Sequence, residues 1–136
     1  MFHQHLSWSS LPADRPMPLI TRRRVTAERM MVARVELEPG FTLASHCHEN
    51  EQIVIVLHGK CRFGLGTPGT PEHRELVVGA GEVLVLPANL PHSCVALEAT
   101  TILDLFSPPS ERTGVDACPA PEAASATKVA PARGAT

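Results

Sequence analysis

The sequence predicts an all-β fold, either a sandwich or a closed barrel, in a single domain of 136 residues. Thirteen prolines and nine glycines divide the chain into short segments. No long segment keeps the 3.6-residue apolar period of a helix, and at least eight short segments have the pattern of β-strands. A small domain with so many strands must close its sheet or pair it with a second sheet, because exposed edges promote association.

The strand candidates follow one another from residue 31 onwards. Apolar and polar residues alternate from Met31 to Leu37, and Pro39 and Gly40 end this segment. The segment Gln52 to His58 is apolar on both faces, which predicts a strand covered by the core on one side and by a second layer on the other. Further candidates include Lys60 to Leu65, Leu76 to Val78, Val83 to Leu86, His92 to Leu97 and Thr101 to Phe106.

The chain is expected to have three parts. Residues 1–18, which include Trp8, form a lead-in along the barrel or a partner subunit, and residues 19–115 form the barrel domain. Residues 116–136 are rich in alanine and proline and have almost no large apolar side chain. Such a segment cannot bury enough surface to offset the entropy lost on ordering, so a flexible tail is expected.

The composition excludes several classes of protein. With 43% apolar and 19% charged residues, the chain is neither a disordered acidic segment nor a membrane protein. A net charge of -2 gives no basic excess for nucleic acid, and the run Arg22 to Arg24 is interpreted as a solvated strand or loop. No CxxC pair and no secretory signal pattern is present, which favours reduced thiols and a cytoplasmic location.

A group of histidines indicates a metal site. His46 and His48 are two positions apart and lie on the same side of an extended chain, and Gln52 has the same parity. Two converging imidazoles make half of a first-row metal site. His92, at the start of another strand candidate, is the best candidate for a third imidazole.

Two sequence runs resemble the two motifs of the cupin superfamily. The first extends from Gly40 to Gly59 and includes the histidine pair, and the second extends from Gly81 through Pro87 to His92. This sequence departs from the second motif at two positions, since Asn89 replaces the usual glycine and Ala96 replaces the final asparagine. The resemblance implies a double-stranded β-helix of the jelly-roll type, a cupin barrel with a metal inside its open end.

The phrases HENEQ, LPANLPH and LDLFSPP further resemble the KdgF family, single-domain cupins that open the ring of unsaturated uronates. This resemblance implies one divalent transition metal ion, Ni, Zn, Mn or Fe, a catalytic role for Asp104 and a substrate-binding role for Phe106. The family's substrate-binding arginine corresponds to Ser110 here, and its nearest substitutes are Arg112 and Arg24. The implied metal ligands are His46, His48, Gln52 and His92.

The neutral Gln52 stands where many cupins have a glutamate, so a bound divalent ion keeps its full positive charge. This favours Lewis-acid chemistry on a small, sugar-acid-like anion. The expected reaction is of the lyase, isomerase or hydrolase type, with Asp104 as acid and base. Glu51 is an alternative ligand if a bulge shifts the register. A metal-containing binding module without turnover and an iron-dependent dioxygenase are the alternative functions. The expected partners are a small-molecule substrate and a second copy in a homodimer, with no nucleic acid or membrane.

Overall fold

The computed structural model describes residues 2–109, which form nine β-strands. The only helical segment in this part of the chain is a 3-10 turn, Trp8–Ser10. The predicted tail and the end of the predicted barrel domain lie outside the described residues. In chain order the strands are β1 Ile20–Thr26, β2 Met31–Leu37, β3 Thr42–His46, β4 Glu51–His58, β5 Lys60–Leu65, β6 Arg74–Gly79, β7 Val83–Leu86, β8 His92–Ala96 and β9 Thr100–Ser107.

The strands form two antiparallel sheets that enclose the core. One sheet has the order β1-β2-β9-β4-β7 and the other the order β3-β8-β5-β6. Strand β2 shows why these segments form strands, because its buried and half-buried residues alternate along its whole length. The predicted all-β jelly-roll fold is confirmed.

The outer face of β4 differs from the expectation. Val54 and Val56 point into the core, but Ile53 and Ile55 on the opposite face are only half-buried, and Leu57 is 44% exposed. No second layer of the described residues covers this strand. The prediction of a strand buried on both faces was therefore wrong for β4, and an apolar surface remains on the outside of the five-stranded sheet.

The interpretation of Arg22 to Arg24 as a solvated segment was also wrong. Arg22 lies on the inner face of β1 and is 6% exposed, and Arg24 is partly buried. The lead-in packs along the same strand through an isolated β-bridge between Asp14 and Arg22. Strand alternation explains the burial, because Arg22 shares its parity with the buried Ile20.

Two further observations bear on the expected environment of the protein. Cys61 and Cys94 are free thiols, whereas Cys47 is disulfide-bonded, so the expectation of reduced thiols holds for the first two only. Within residues 2–109, no helix has the length and apolar character needed to cross a membrane. The cytoplasmic location stays a prediction.

Candidate metal centre

Three histidines meet at one end of the barrel. His46 on β3 and His92 on β8 are direct partners across the four-stranded sheet, and their ring centroids are 4.3 Å apart. The ring of His48 lies 5.0 Å from that of His92 and 5.8 Å from that of His46. One ring nitrogen from each residue lies within 4.8 Å of the other two, so the three imidazoles could hold a single metal ion.

The local backbone explains how this convergence arises. A β-bulge between Leu43 and His46 shifts the register of β3 against β8. Leu43 and His46 are an odd number of positions apart and would face opposite sides of a regular strand, but with the bulge both line the interior. The expectation that His46 and His48 lie on one strand was wrong, because β3 ends at His46. His48 instead lies in the connection to β4, where its carbonyl accepts a hydrogen bond from the amide of Asn89 at 2.8 Å.

Asn89 also explains one departure from the cupin motif. Its φ is 66°, in the left-handed region that glycine adopts easily and asparagine tolerates better than most residues. An asparagine can therefore replace the usual glycine while the turn that supports His48 keeps its shape.

Each histidine is oriented by a hydrogen bond from Nδ1 to a backbone carbonyl. The Nδ1 atoms of His46, His48 and His92 contact the carbonyl oxygens of residues 44, 50 and 90 at 3.1, 2.9 and 2.8 Å. A carbonyl can only accept, so Nδ1 carries the proton and Nε2 presents a lone pair in each neutral ring. This orientation of metal-binding histidines by a second hydrogen bond is common in proteins.

The amide of Gln52 completes the group from the opposite sheet. Its Nε2 donates to Asp104 Oδ1 at 3.0 Å, which turns its Oε1 towards His48 Nε2 at 3.2 Å. Both of these facing atoms are acceptors when His48 carries its proton on Nδ1, so a metal ion bound between them would satisfy both. The donor set therefore fits a divalent ion bound by three imidazoles and one amide oxygen.

His92 supports the same conclusion independently. Its Nε2 is buried and has no hydrogen-bond partner among the described residues. Buried polar atoms are rarely left unsatisfied without a functional reason. Burial, with a smaller effect from the charges of His46 and His48, lowers the pKa of His92 to about 4, so the ring is neutral at pH 7, as a metal ligand must be.

Asp104 lies beside this group on β9. It lines the same cavity as His46, Gln52 and His92. Burial raises the pKa of Asp104 to about 7, while the hydrogen bond from Gln52 and the charge of Arg22 act in the opposite direction.

Phe106 forms an aromatic wall of the same cavity. Its ring meets His48 edge to face, with centroids 5.8 Å apart, and the side chain is 2% exposed. The cavity volume is about 40 Å³. A water molecule needs roughly 10 to 15 Å³ on this measure, so the space suits a few waters, a small acid or the acidic end of a larger substrate.

The other predicted residues lie elsewhere. Glu51 is exposed at the outward end of β4, and so does not join the histidines. Arg24 lines a surface groove beside the lead-in and is not among the residues lining the cavity. Ser110 and Arg112 fall outside the described residues.

Sequence reasoning missed two polar residues near the centre. Arg22 is buried in the cavity wall, and a stricter use of strand parity would have indicated its inward direction. Asn50, buried between His48 and Gln52, donates from its side-chain amide to the carbonyl of Pro108. No sequence pattern indicated Asn50, because its partner comes from the far end of the barrel domain.

The fold and this centre define a class of protein, the jelly-roll barrels with a three-histidine site at one end. The family model described as Cupin matches residues 24–128. The chain belongs to the cupin family, and the resemblance seen in the two sequence motifs is confirmed.

Solved structures give more specific similarities. KdgF from Halomonas sp. is 26% identical, with a TM-score of 0.69, and the match covers 81% of this chain and 97% of that one. Oxalate decarboxylase from Bacillus subtilis is 25% identical, with a TM-score of 0.69 and 79% of this chain covered. This match spans only 30% of the oxalate decarboxylase chain.

A third similarity concerns the fold alone. An RmlC-like cupin from Shewanella frigidimarina has a TM-score of 0.70 at 19% identity, covering 80% of this chain and 95% of that one. A search of curated proteins finds no match.

Proposed function

We propose that this protein is a metal-dependent cupin enzyme that isomerises a small anionic sugar acid, opening the ring of an unsaturated uronate. The observation that carries this proposal is that Asp104 shares one cavity with His46, Gln52 and His92, while His48 completes the three-histidine group beside Gln52. A set of metal ligands beside a buried carboxyl group is the combination that Lewis-acid and proton-transfer chemistry requires.

The proposed ligands are His46, His48 and His92 through Nε2 and Gln52 through Oε1, with Ni, Zn, Mn or Fe as the divalent ion. A bound ion would supply Lewis-acid stabilisation of the negative charge that develops on substrate oxygen. The neutral Gln52 adds no negative charge to the donor set, which favours anionic substrates. The similar oxalate decarboxylase from Bacillus subtilis has Mn(II) centres, which supports a divalent ion here without selecting one.

Asp104 is proposed to move the proton in this reaction. Its carboxylate removes the proton from the anomeric hydroxyl, the bond between C1 and the ring oxygen breaks, and C1 becomes an aldehyde. The electron pair of that bond passes to the ring oxygen, which leaves an enolate at C5. Return of the proton to C4 converts the enolate into a ketone, so the substrate is isomerised and no other reactant is consumed. The hydrogen bond from Gln52 to Oδ1 fixes the carboxylate for both transfers.

Phe106 is proposed to contact the sugar. Its buried ring forms part of the cavity wall and its edge packs against His48. A flat apolar surface suits the less polar face of a sugar ring, and the same contact limits rotation of the imidazole.

An assay with matched variants tests the proposal. Metal-loaded wild-type protein is incubated with unsaturated galacturonate, and ring opening is followed by loss of the ultraviolet absorbance of its conjugated double bond. Asp104→Asn should keep the metal and the fold but reduce turnover about a hundredfold or more, the usual contribution of proton transfer. The matched control is Glu51→Gln, which neutralises an exposed carboxylate that does not line the cavity and should leave turnover unchanged.

The alternatives give different results in this assay. Oxygen consumption with an iron-loaded protein would indicate a dioxygenase, and tight binding without turnover would indicate a binding module. Turnover of oxalate in place of the uronate would move the substrate class to small dicarboxylates. Full activity of Asp104→Asn on the uronate would contradict the proposed acid-base role.

We further propose that the protein is a homodimer formed through the outer face of the five-stranded sheet. Val83 and Val85 on β7 are 58% and 55% exposed, and they pair in register with Ile55 and Ile53 on β4. Arg34 and Glu36 form an ion pair on the outer face of β2, in the same sheet. Because both charge signs lie on one face, two copies related by a two-fold axis can place opposite charges together.

The oligomeric state can be measured directly. Light scattering at micromolar concentration should give twice the chain mass for the wild type. Val85→Lys should give the single chain mass, because it places a charge in the proposed apolar interface. A monomeric wild type would contradict the dimer.

A further inference from the structure

Arg22 is a buried cation in the wall of the cavity. It projects from the inner face of β1, is 6% exposed, and lines the cavity together with His46, Gln52 and Asp104. A buried charge is costly unless it is compensated by partners. Asp14 compensates this charge, and the position of Arg22 places an arginine in the wall of the cavity that the metal ligands line.

Asp14 fixes the direction of this side chain. The Nε of Arg22 donates to Oδ1 of Asp14 at 3.2 Å, and its Nη2 donates to Oδ2 at 3.0 Å. The two backbones are also joined by reciprocal hydrogen bonds of 2.8 and 2.9 Å. A guanidinium held through two of its nitrogens has little rotational freedom, which is the preorganisation that an anion-binding group needs.

Asp14 is shared between two arginines. Arg24 Nη2 lies 3.3 Å from the same Oδ2 atom. Of the two arginines that share this carboxylate, only Arg22 lines the cavity. Arg22 and Asp104 lie in the wall of the same cavity, so both side chains border the space that a ligand would occupy.

The packing beside Arg22 leaves room for a ligand. Ala33 on β2 lies in register between Arg24 on β1 and Asp104 on β9, and it lines the cavity. A longer side chain at this position would fill the space between the arginines of β1 and Asp104. The small residue keeps Arg22 and the metal ligands on one continuous cavity.

We propose that Arg22 binds the carboxylate of the substrate in the cavity, with Asp14 as its positioning residue. The proposal rests on the anionic substrate of the proposed function and deepens it by assigning the group that recognises the anion. An arginine has five N–H donors, so Arg22 can contact a substrate carboxylate while two of its nitrogens bind Asp14, which the single ammonium group of a lysine cannot reproduce. The residue comes from the first strand of the barrel, far in sequence from the segment after β9 that supplies an arginine in the resembling family.

Binding measurements test this proposal separately from turnover. Galacturonate, a saturated acid that has no double bond to react, and galactose, its neutral analogue, are titrated into metal-loaded protein by calorimetry. The wild type should bind galacturonate at least tenfold more tightly than galactose. Arg22→Met should lose this preference while its metal content and its affinity for galactose stay unchanged. Arg22→Lys should weaken galacturonate binding to an intermediate degree.

Arg24→Met is the matched control. Like Arg22→Met, it removes one positive charge and one contact with Asp14. Arg24 does not line the cavity, so the preference for galacturonate over galactose should persist in this variant. If Arg22→Met does not fold, Arg22→Lys tests the proposal instead, because its preference for galacturonate over galactose should be weaker than that of the wild type although the charge is kept.

The proposal is overturned if the wild type does not distinguish the two sugars, or if both Arg22 variants keep the wild-type preference. Failure of the ring-opening assay alone does not affect this result, because galacturonate binding needs no chemistry. Loss of the preference in Arg24→Met to the same extent as in Arg22→Met would also overturn it, since a general charge effect would then explain the data.

Discussion

Replacement of His92 by alanine should separate metal binding from folding. The ring is 4% exposed, and its Nδ1 hydrogen bond to the carbonyl of Leu90 is the polar contact that the metal-free protein would lose. Such a bond contributes about 1 kcal/mol to the free energy of unfolding. The metal-free variant should therefore fold, with a melting temperature lowered by roughly 4 to 8 °C.

The effect of added metal should be much larger in the wild type than in the variant. An ion present at about 100 times its Kd stabilises the folded state by about 2.7 kcal/mol. Mutation of a residue that only orients a metal ligand already weakens metal binding by about 10 to 100-fold. Loss of a direct ligand should weaken it at least 100-fold, which reduces the stabilisation at the same metal concentration to about 0.4 kcal/mol.

Thermal unfolding with chelator and with added metal, together with elemental analysis, measures both effects. His73→Ala is the matched control, because His73 also bonds a backbone carbonyl through Nδ1, at 3.1 Å from Gly66, but does not belong to the three-histidine group. The control should keep the metal-dependent rise in melting temperature. If His92→Ala showed the full rise, the assignment of the ligands would be wrong.

Two further predictions concern stability, and one concerns metal affinity. Gly59→Ala should lower the free energy of unfolding by at least about 3 kcal/mol, because φ is 80° and a Cβ would lie 2.2 Å from the carbonyl oxygen of Ala99. Gly40→Ala, with φ of 89° and open space around it, should cost only about 1 kcal/mol in the same denaturant titration. Asn89→Gly should keep metal affinity, whereas Asn89→Val should weaken it by distorting the turn that supports His48, as elemental analysis after dialysis would show. The hydrogen bond from Arg22 lowers the pKa of Asp14, so the ion pair contributes stability above about pH 4 and loses it as the pH falls through the lowered pKa. The difference in the free energy of unfolding between wild type and Asp14→Asn should therefore disappear at low pH. A difference that persisted at lower pH would contradict the ion-pair explanation.

Most of the fold followed from local patterns. The alternation of residues in β2 and the boundaries of β5 and β7 agree with the sequence interpretation, because each strand has one face on a single core. The same reasoning failed for the outer face of β4. Apolar residues on both faces indicate that both are covered, but sequence cannot tell whether the cover comes from the same chain or from another one.

The candidate site was predictable in its residue types and less so in its geometry. Motif spacing indicated the histidines and Gln52, since the spacing of ligands along a chain is a local property. Spacing could not reveal the bulge before His46 or the loop position of His48, which depend on the pairing of β3 with β8. The inward direction of Arg22 follows from its parity with Ile20, but its partner could not be predicted, because Asp14 lies eight residues earlier and pairs with Arg22 only after the lead-in docks on β1.

Reconstitution with metal tests the central claim most directly. Protein stripped with a chelator is titrated with Ni, Zn, Mn or Fe ions under anaerobic conditions, and the rate of ring opening of unsaturated galacturonate is measured at each step. If the three histidines and Gln52 form the catalytic centre, the activity should rise in proportion to added metal and become constant at one ion per chain. Stripped protein with full activity, or no turnover with any of the four ions, would contradict a metal-dependent uronate isomerase.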